Sequence, residues 1–289
     1  MFPSFIKPCF LIGASKAATT SLSATLDSSP SISVANPKEC MYYNRLYGRV
    51  DYSSFFKFSD SSQYFLDGST HYSHSFRKSY TTIPARIFND WPNAKIIYVL
   101  RNYSDRLASL KSQMLHMGIL PRKDCLNILS NDFFLDSFLY SRVIESYLSF
   151  FGRSNILVLS FEDFIERPSD GIQVIFNFLG LNCDLELKLS QHNISSSKTQ
   201  VPLRILPYVH KITLNTGLYH YTSSGFRHAF RNLLSRKNPS ALDVCSVSRS
   251  ELRQLLTLVD SHQALNSKYP ILNLLRENLL SELNNHAIS

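Results

Sequence analysis

Short apolar runs alternate with amphipathic stretches along most of this chain. Cys9–Ala14 (CFLIGA) reads as a buried strand that ends on small residues. A polar loop, Ser15–Thr20, follows, and helical spacing runs from Ser21 to Leu26. Ser31–Ala35 and Tyr64–Leu66 predict two more strands, the second closing at Asp67-Gly68. Thr81–Asn89 predicts a helix, Lys95–Leu100 (KIIYVL) the clearest strand, and Ser104–Met117 a helix stopped at Gly118. Residues 119–132 read as a connecting insertion and Asp136–Phe151 as one helix ended by Gly152. Ile156–Leu159 (ILVL) predicts a further buried strand. Phe161–Glu166 and Ser169–Leu179 predict helices separated by Pro168. Gln191–Pro202 is a polar loop, and two amphipathic helices follow at Ser248–Val259 and Ile271–Leu283. Apolar strands with helices between them predict an α/β fold, a parallel sheet flanked by helices. We expect a single domain over 1–289, with its core at 9–181 and a loop-and-helix C-terminal region at 182–289.

Composition narrows the class. Of 289 residues, 44% are hydrophobic and 18% charged, enough for a sizeable core and against disorder, collagen or coiled coil. No apolar run reaches the ~20 residues of a membrane span, and Met1–Cys9 lacks the apolar centre of a secretion signal, so the expected location is cytoplasmic. The five cysteines (9, 40, 125, 183 and 245) form no CxxC pair, which predicts reduced thiols rather than a zinc site or disulfide framework. The formal net charge of +8 is concentrated: Leu187–Leu242 holds eight basic residues and no acid. That stretch reads as a solvated basic face or as the seat of an anionic partner. No zinc finger, RNP pattern or Arg-rich arm points to nucleic acid.

The loop after the first strand carries the first candidate chemistry. Gly13-Ala14-Ser15-Lys16-Ala17-Ala18-Thr19-Thr20 lies where a strand turns into a helix. Backbone N–H groups and the dipole at a helix start bind anions, and Lys16 adds a point charge. A Walker A loop needs a second glycine before its lysine, and here Lys16 follows the single glycine by three residues. The loop, read with Ser21-Leu22 as G-A-S-K-A-A-T-T-S-L, resembles the strand–G-x-x-K-x-G-T-T-S-L start of sulfotransferases that use 3'-phosphoadenosine 5'-phosphosulfate (PAPS), of the bacterial and carbohydrate type. Ala18 stands where that family usually has glycine.

Further segments follow in the family's order. Lys95–Ser109 (KIIYVLRNYSDRLAS) resembles strand–R-N-P-x-[DE]-R-x-x-S, and Pro37–Tyr43 (PKECMYY) resembles K-E-x-x-F-F. Asp67–Tyr72 resembles, more weakly, G-E-x-T-P-x-Y. The run from Tyr140 to Leu181 resembles the family's late core. The resemblance implies a P-loop-type parallel sheet and PAPS as sulfuryl donor, without a metal. It places the 5'-phosphate on Gly13, Ser15, Lys16, Ala17, Ala18, Thr19, Thr20 and Ser21, and the 3'-phosphate on Arg101 and Ser109. It makes Lys16 the residue that stabilises the leaving oxygen and Glu39 the base that takes the acceptor's proton. Lys38, Asp67 and His71 would lie near the acceptor, a hydroxyl most simply on a carbohydrate. The plainer reading of Glu39 is a surface Lys–Glu pair in a loop, and that of Arg101 is a structural salt bridge.

Other residues receive plainer readings. Asp105 and Arg106 read as a local pair, Asp67 equally as a loop cap, and His71 and His74 as loop histidines without metal partners. Aryl and small-alcohol sulfotransferases typically carry Y-P-K-S-G-T-T-W and a histidine base; neither is evident here, which disfavours a phenol or steroid acceptor. The basic stretch would serve as a lid on the nucleotide or a groove for an acidic glycan, through residues such as Arg227 and Arg231. Two alternatives stay open: a non-catalytic relative that binds an anionic glycan, and a P-loop kinase, against which the loop spacing argues.

Overall fold

The computed structural model describes residues 2–74, 80–117, 128–130, 132–183 and 246–285. Five parallel strands form one sheet in the order β2-β3-β1-β4-β5. They are β1 (Lys7–Gly13), β2 (Ile32–Val34), β3 (Tyr64–Asp67), β4 (Lys95–Leu100) and β5 (Ile156–Ser160). The helices in chain order are α1 (Thr19–Asp27), α2 (Thr82–Asp90), α3 (Tyr103–Met117), α4 (Asp132–Asp136), α5 (Tyr140–Leu148), α6 (Phe161–Glu166) and α7 (Pro168–Leu179). After the basic region come α8 (Arg249–Asp260), α9 (Gln263–Asn266) and α10 (Pro270–Asn285). The expected α/β architecture is therefore present. The helix stop at Gly118, most of the 119–132 insertion, the 191–202 loop and the basic stretch 187–242 lie outside the described residues.

Continuous burial explains why the inner strands lack alternation. β1 is enclosed from Pro8 to Gly13, as a central parallel strand must be. Its order in the sheet places a topological switch between β1 and β4: the chain moves from β1 to β2 and β3 on one side, then crosses to β4 and β5 on the other. Open α/β sheets bind ligands in the crevice at the carboxyl ends of such strands. The β1–β4 register slips between Leu11 and Gly13, so Leu11 pairs with Ile97 and Gly13 with Tyr98. This irregularity turns the chain just before the loop.

Two expectations are corrected. Asp136–Phe151 is not one helix: α4 stops at Asp136, and α5 begins at Tyr140. Between them Phe138 is fully buried, and the Ser137 carbonyl turns to accept a hydrogen bond from Arg106 Nη1 at 2.7 Å. Burying that ring and that carbonyl together breaks the helical path. β5, expected to be buried, is half-buried along its whole length because it pairs only with β4 among the described residues. Pro168 opens α7 at its first turn, where its missing N–H costs nothing, and Gly180 ends the helix in the left-handed conformation.

The C-terminal helices pack onto the face of α3 and α5. Lys111, on α3, reaches Glu251 Oε2 at 2.9 Å and the Ser246 carbonyl at 2.9 Å. Both members of this pair are almost wholly enclosed, at 3% and 1% exposure. The same Oε2 accepts from the N–H and hydroxyl of Ser248, closing the capping box that starts α8. Asn278 on α10 donates to Asn102, two residues after β4. Removing one partner of an enclosed pair leaves the other charge stranded. Lys111→Met should therefore lower stability by about 3 kcal/mol or more, read from urea unfolding, while Lys268→Met at the exposed pair with Glu145 should change it by less than ~0.5 kcal/mol.

Candidate active site

The chain leaves β1 through a gap that admits no side chain. At Gly13, φ is +148°, and a Cβ would meet the Ser73 hydroxyl at 2.6 Å and the Tyr98 ring at 3.2 Å. The loop then passes through positive φ at Lys16 (71°) and Ala18 (51°) before α1 begins. Alternating backbone handedness of this kind gathers N–H groups into an anion-binding concavity. Ala18 is the N-cap of α1 and no side chain caps the helix there, nor does an acid lie in its first turn. The first-turn amides of a helix lack intrahelical acceptors, so this end is suited to a negative ligand.

Arg101, at the end of β4, donates through Nη1 to the Lys16 carbonyl at 2.8 Å. Its guanidinium lies 4.5 Å over the Phe161 ring, and its Nε is buried with no protein acceptor. Ser109 is half-buried on α3, six residues past the start of the helix. No hydrogen bond joins it to Arg101 among the described residues. Arg106 is the correction here. It does not pair with Asp105; its side chain is fully buried and donates to the Ser15 carbonyl at 3.0 Å, the Ser15 hydroxyl at 3.4 Å and the Ser137 carbonyl at 2.7 Å. The spacing carried this signal, because Arg106 falls on the same helical stripe as the buried Tyr103, Leu107 and Leu110.

The second half of the site comes from residues 38–39 and the turn 70–73. Lys38 Nζ bridges Thr19 Oγ1 at 3.2 Å and Glu39 Oε1 at 3.5 Å, tying the carboxylate to the start of α1. A Cβ on Gly68 would meet the Lys38 stem at 2.8 Å, so glycine is what lets that stem pass. Thr70 donates to Glu39 Oε1 at 3.1 Å, and His71 Nδ1 lies 3.3 Å from Oε2. Burial alone would raise the Glu39 pKa. The His71 hydrogen bond and the charges of Lys38 and His71, with Thr70, outweigh it and bring it down to about 2. Burial lowers the Lys38 ammonium, against the pull of Glu39 and Asp67. No motif singles out a histidine base, yet the structure sets His71 against Glu39. The turn that does so was visible only as a weak motif.

Asp67 is not placed to touch an acceptor. It is fully enclosed, and its carboxylate accepts from the Ser69 N–H and hydroxyl, Tyr72, Tyr52 and Cys40 at 2.6–3.1 Å. Ser69 in turn accepts from the Met41 N–H at 3.0 Å. Asp67 therefore locks the turn carrying Thr70 and His71 against the segment carrying Glu39. Burial raises its pKa, opposed by those same donors. Among the described residues no cluster of three or more His, Cys, Asp or Glu could hold a metal, and no helix is long and apolar enough to cross a membrane.

Two outcomes follow from this geometry. A residue with a Cβ in the left-handed region costs ~1–2 kcal/mol, partly offset by the unfolded-state entropy of glycine, so Ala18→Gly should raise unfolding stability by about 0.5–1 kcal/mol. The Glu39 carboxylate is held below its ordinary value of 4.5 in the folded state. It therefore stabilises the fold above about pH 4.5, and this contribution is lost as the pH falls towards about 2. Glu39→Gln lacks that term, so its stability should fall less steeply than the wild type's between these two pH values in acid titrations followed by circular dichroism.

Comparisons with known proteins establish the family and the fold. The pattern of the sulfotransferase domain family matches residues 7–231. A curated 3-alpha-hydroxysteroid sulfotransferase of Cavia porcellus is 28% identical over 141 residues, 46% of this chain and 45% of that one. The chain thus matches less than half the length of that relative. A solved sulfotransferase from Alicyclobacillus acidocaldarius superposes with a TM-score of 0.56 at 22% identity, covering 65% of this chain and 86% of its own, and so shares the fold. With the family pattern spanning most of its length, from β1 into the basic stretch, this chain belongs to the sulfotransferase domain family.

Proposed function

We propose that this protein transfers a sulfuryl group from PAPS to a hydroxyl acceptor. The observation that carries the reading is the Lys38 bridge, which sets Glu39 and His71 beside the start of α1. The residues present fit the nucleotide: α1 starts without a side-chain cap or an acid, and Arg101 Nε is buried without a protein acceptor. When bound, PAPS supplies a sulfuryl group on a mixed phosphoric–sulfuric anhydride. Gly13, Ser15, Ala17, Ala18, Thr19, Thr20 and Ser21 form the cradle for the 5'-phosphate, with Lys16 as its cation. Arg101, joined by Ser109, takes the 3'-phosphate.

On the acceptor side the two groups divide the work. A carboxylate held near 2 is a weak base, and being ionised it can only accept hydrogen bonds. His71 Nδ1 must then carry the proton it shares with Glu39, which leaves the ring's lone pair on Nε2. In this reading Glu39 orients the imidazole, and His71 takes the proton of the acceptor hydroxyl. Glu39 thus acts through His71 rather than as the direct base. Lys38 holds the pair at the loop and adds positive charge where negative charge develops.

A carbohydrate hydroxyl is the first acceptor class, from the resemblance of the Lys38-Glu39 segment to carbohydrate-type members. A hydroxyl on a steroid-like skeleton is the second, favoured by the named activity of the Cavia porcellus relative. The test begins with calorimetric titration by adenosine 3',5'-bisphosphate, the spent nucleotide. Micromolar binding that Arg101→Ala weakens at least about tenfold supports the donor class. Turnover is then measured on a panel of sugars and steroid alcohols. His71→Ala should lower kcat by roughly 10²–10⁴ and Glu39→Gln by less. The reverse order returns the base to Glu39, and nucleotide binding without transfer to any acceptor would leave a glycan-binding relative as the better account.

A further inference from the structure

Arg106 is a cation enclosed at 1% exposure, and it touches the phosphate loop from behind. Its guanidinium faces the rings of Phe138 at 4.6 Å and Tyr140 at 5.3 Å and donates to the Ser15 and Ser137 carbonyls and the Ser15 hydroxyl. Among the described residues no carboxylate lies within ion-pair distance of it. Enclosing a charge without a counter-charge is costly, and a fold keeps one where something else supplies the balance. The field of Arg106 reaches its surroundings. His74 is pushed down to about 3, by burial first and then by His71 and Arg106.

The bonds also fix direction. In a trans peptide the N–H points opposite the C=O, so a Ser15 carbonyl held on Arg106 Nε turns the Lys16 N–H to the side opposite Arg106. Arg101 holds the next carbonyl, that of Lys16. The two arginines grip consecutive peptides of the loop, each by its oxygen. We propose that Arg106 is a positioning residue of the anion site: it orients the Ser15–Lys16 peptide and supplies a buried positive charge that a phosphate bound on the loop balances. This inference rests on the loop binding an anion, and on PAPS only as the natural source of that anion.

The test uses Arg106→Lys, which keeps the charge without the fork, and Arg106→Met, which keeps bulk without charge. Each is titrated calorimetrically with pyrophosphate and with adenosine 3',5'-bisphosphate, and acceptor KM is measured beside donor KM. The expected order of affinity for both anions is wild type, then Lys, then Met, with Met weaker than wild type by about tenfold or more and acceptor KM unmoved. Met within threefold of wild type overturns the proposal, and so does an equal loss in Lys and Met, which would assign Arg106 to packing alone. Should Arg106→Met fail to fold, the comparison of Arg106→Lys with wild type decides: weaker binding of both anions at unchanged acceptor KM supports it, and unchanged affinity overturns it. Wild type binding pyrophosphate but not the nucleotide would sink the PAPS reading alone. Wild type binding neither sinks both.

Discussion

The site depends on a missing side chain. Gly13 is squeezed between Ser73 and Tyr98, with room for a hydrogen but not for a methyl group. That contact lets the turn 70–73 lie against the end of β1, and the turn carries Thr70 and His71 to Glu39. It also lets β4 lie close enough for Arg101 and Arg106 to reach the loop. The loop, Arg101, Glu39 and His71 come from segments far apart in sequence, and one close backbone approach is where they converge.

Around that point the polar network is nested. Asp67 collects five donors and fixes two segments to each other, while Lys38 ties the outcome to α1. The inner member is enclosed and the outer members are partly open: Glu39 keeps 32% of its side chain exposed. An enclosed network gives a defined geometry, and an open rim gives access to an acceptor. The loop follows the same logic, with the Ser15 and Lys16 carbonyls each held by an arginine.

Much of this was legible in the chain. The sheet could be read because its inner strands are short and largely apolar, and β4 matches its predicted bounds to the residue. The loop, Glu39 and Arg101 could be singled out because chemistry restricts which residue types can bind an anion or take a proton there, and the structure brings them to one end of the sheet. The break between α4 and α5 was not, since it comes from a long-range bond between Arg106 and the Ser137 carbonyl. Asp67 was ambiguous for a similar reason: an acid at a strand end looks the same whether it faces a ligand or five protein donors. Arg106 was misread although its spacing placed it on the buried stripe, because charge suggested surface. The half-buried state of β5 reflects its place at the sheet's edge, which sequence order does not give.

The strand order has a consequence for biosynthesis. β1 sits at the centre of the sheet yet is made before every other strand. Its ladder partners begin at Tyr64 and at Lys95. At ~5–20 residues per second, a nascent chain carries this largely apolar strand without its second neighbour for on the order of 5–20 s. Until β4 emerges, no sheet can enclose it, and the loop that follows it has no arginines to hold its carbonyls. Shielding of β1 during synthesis thus becomes a requirement set by topology.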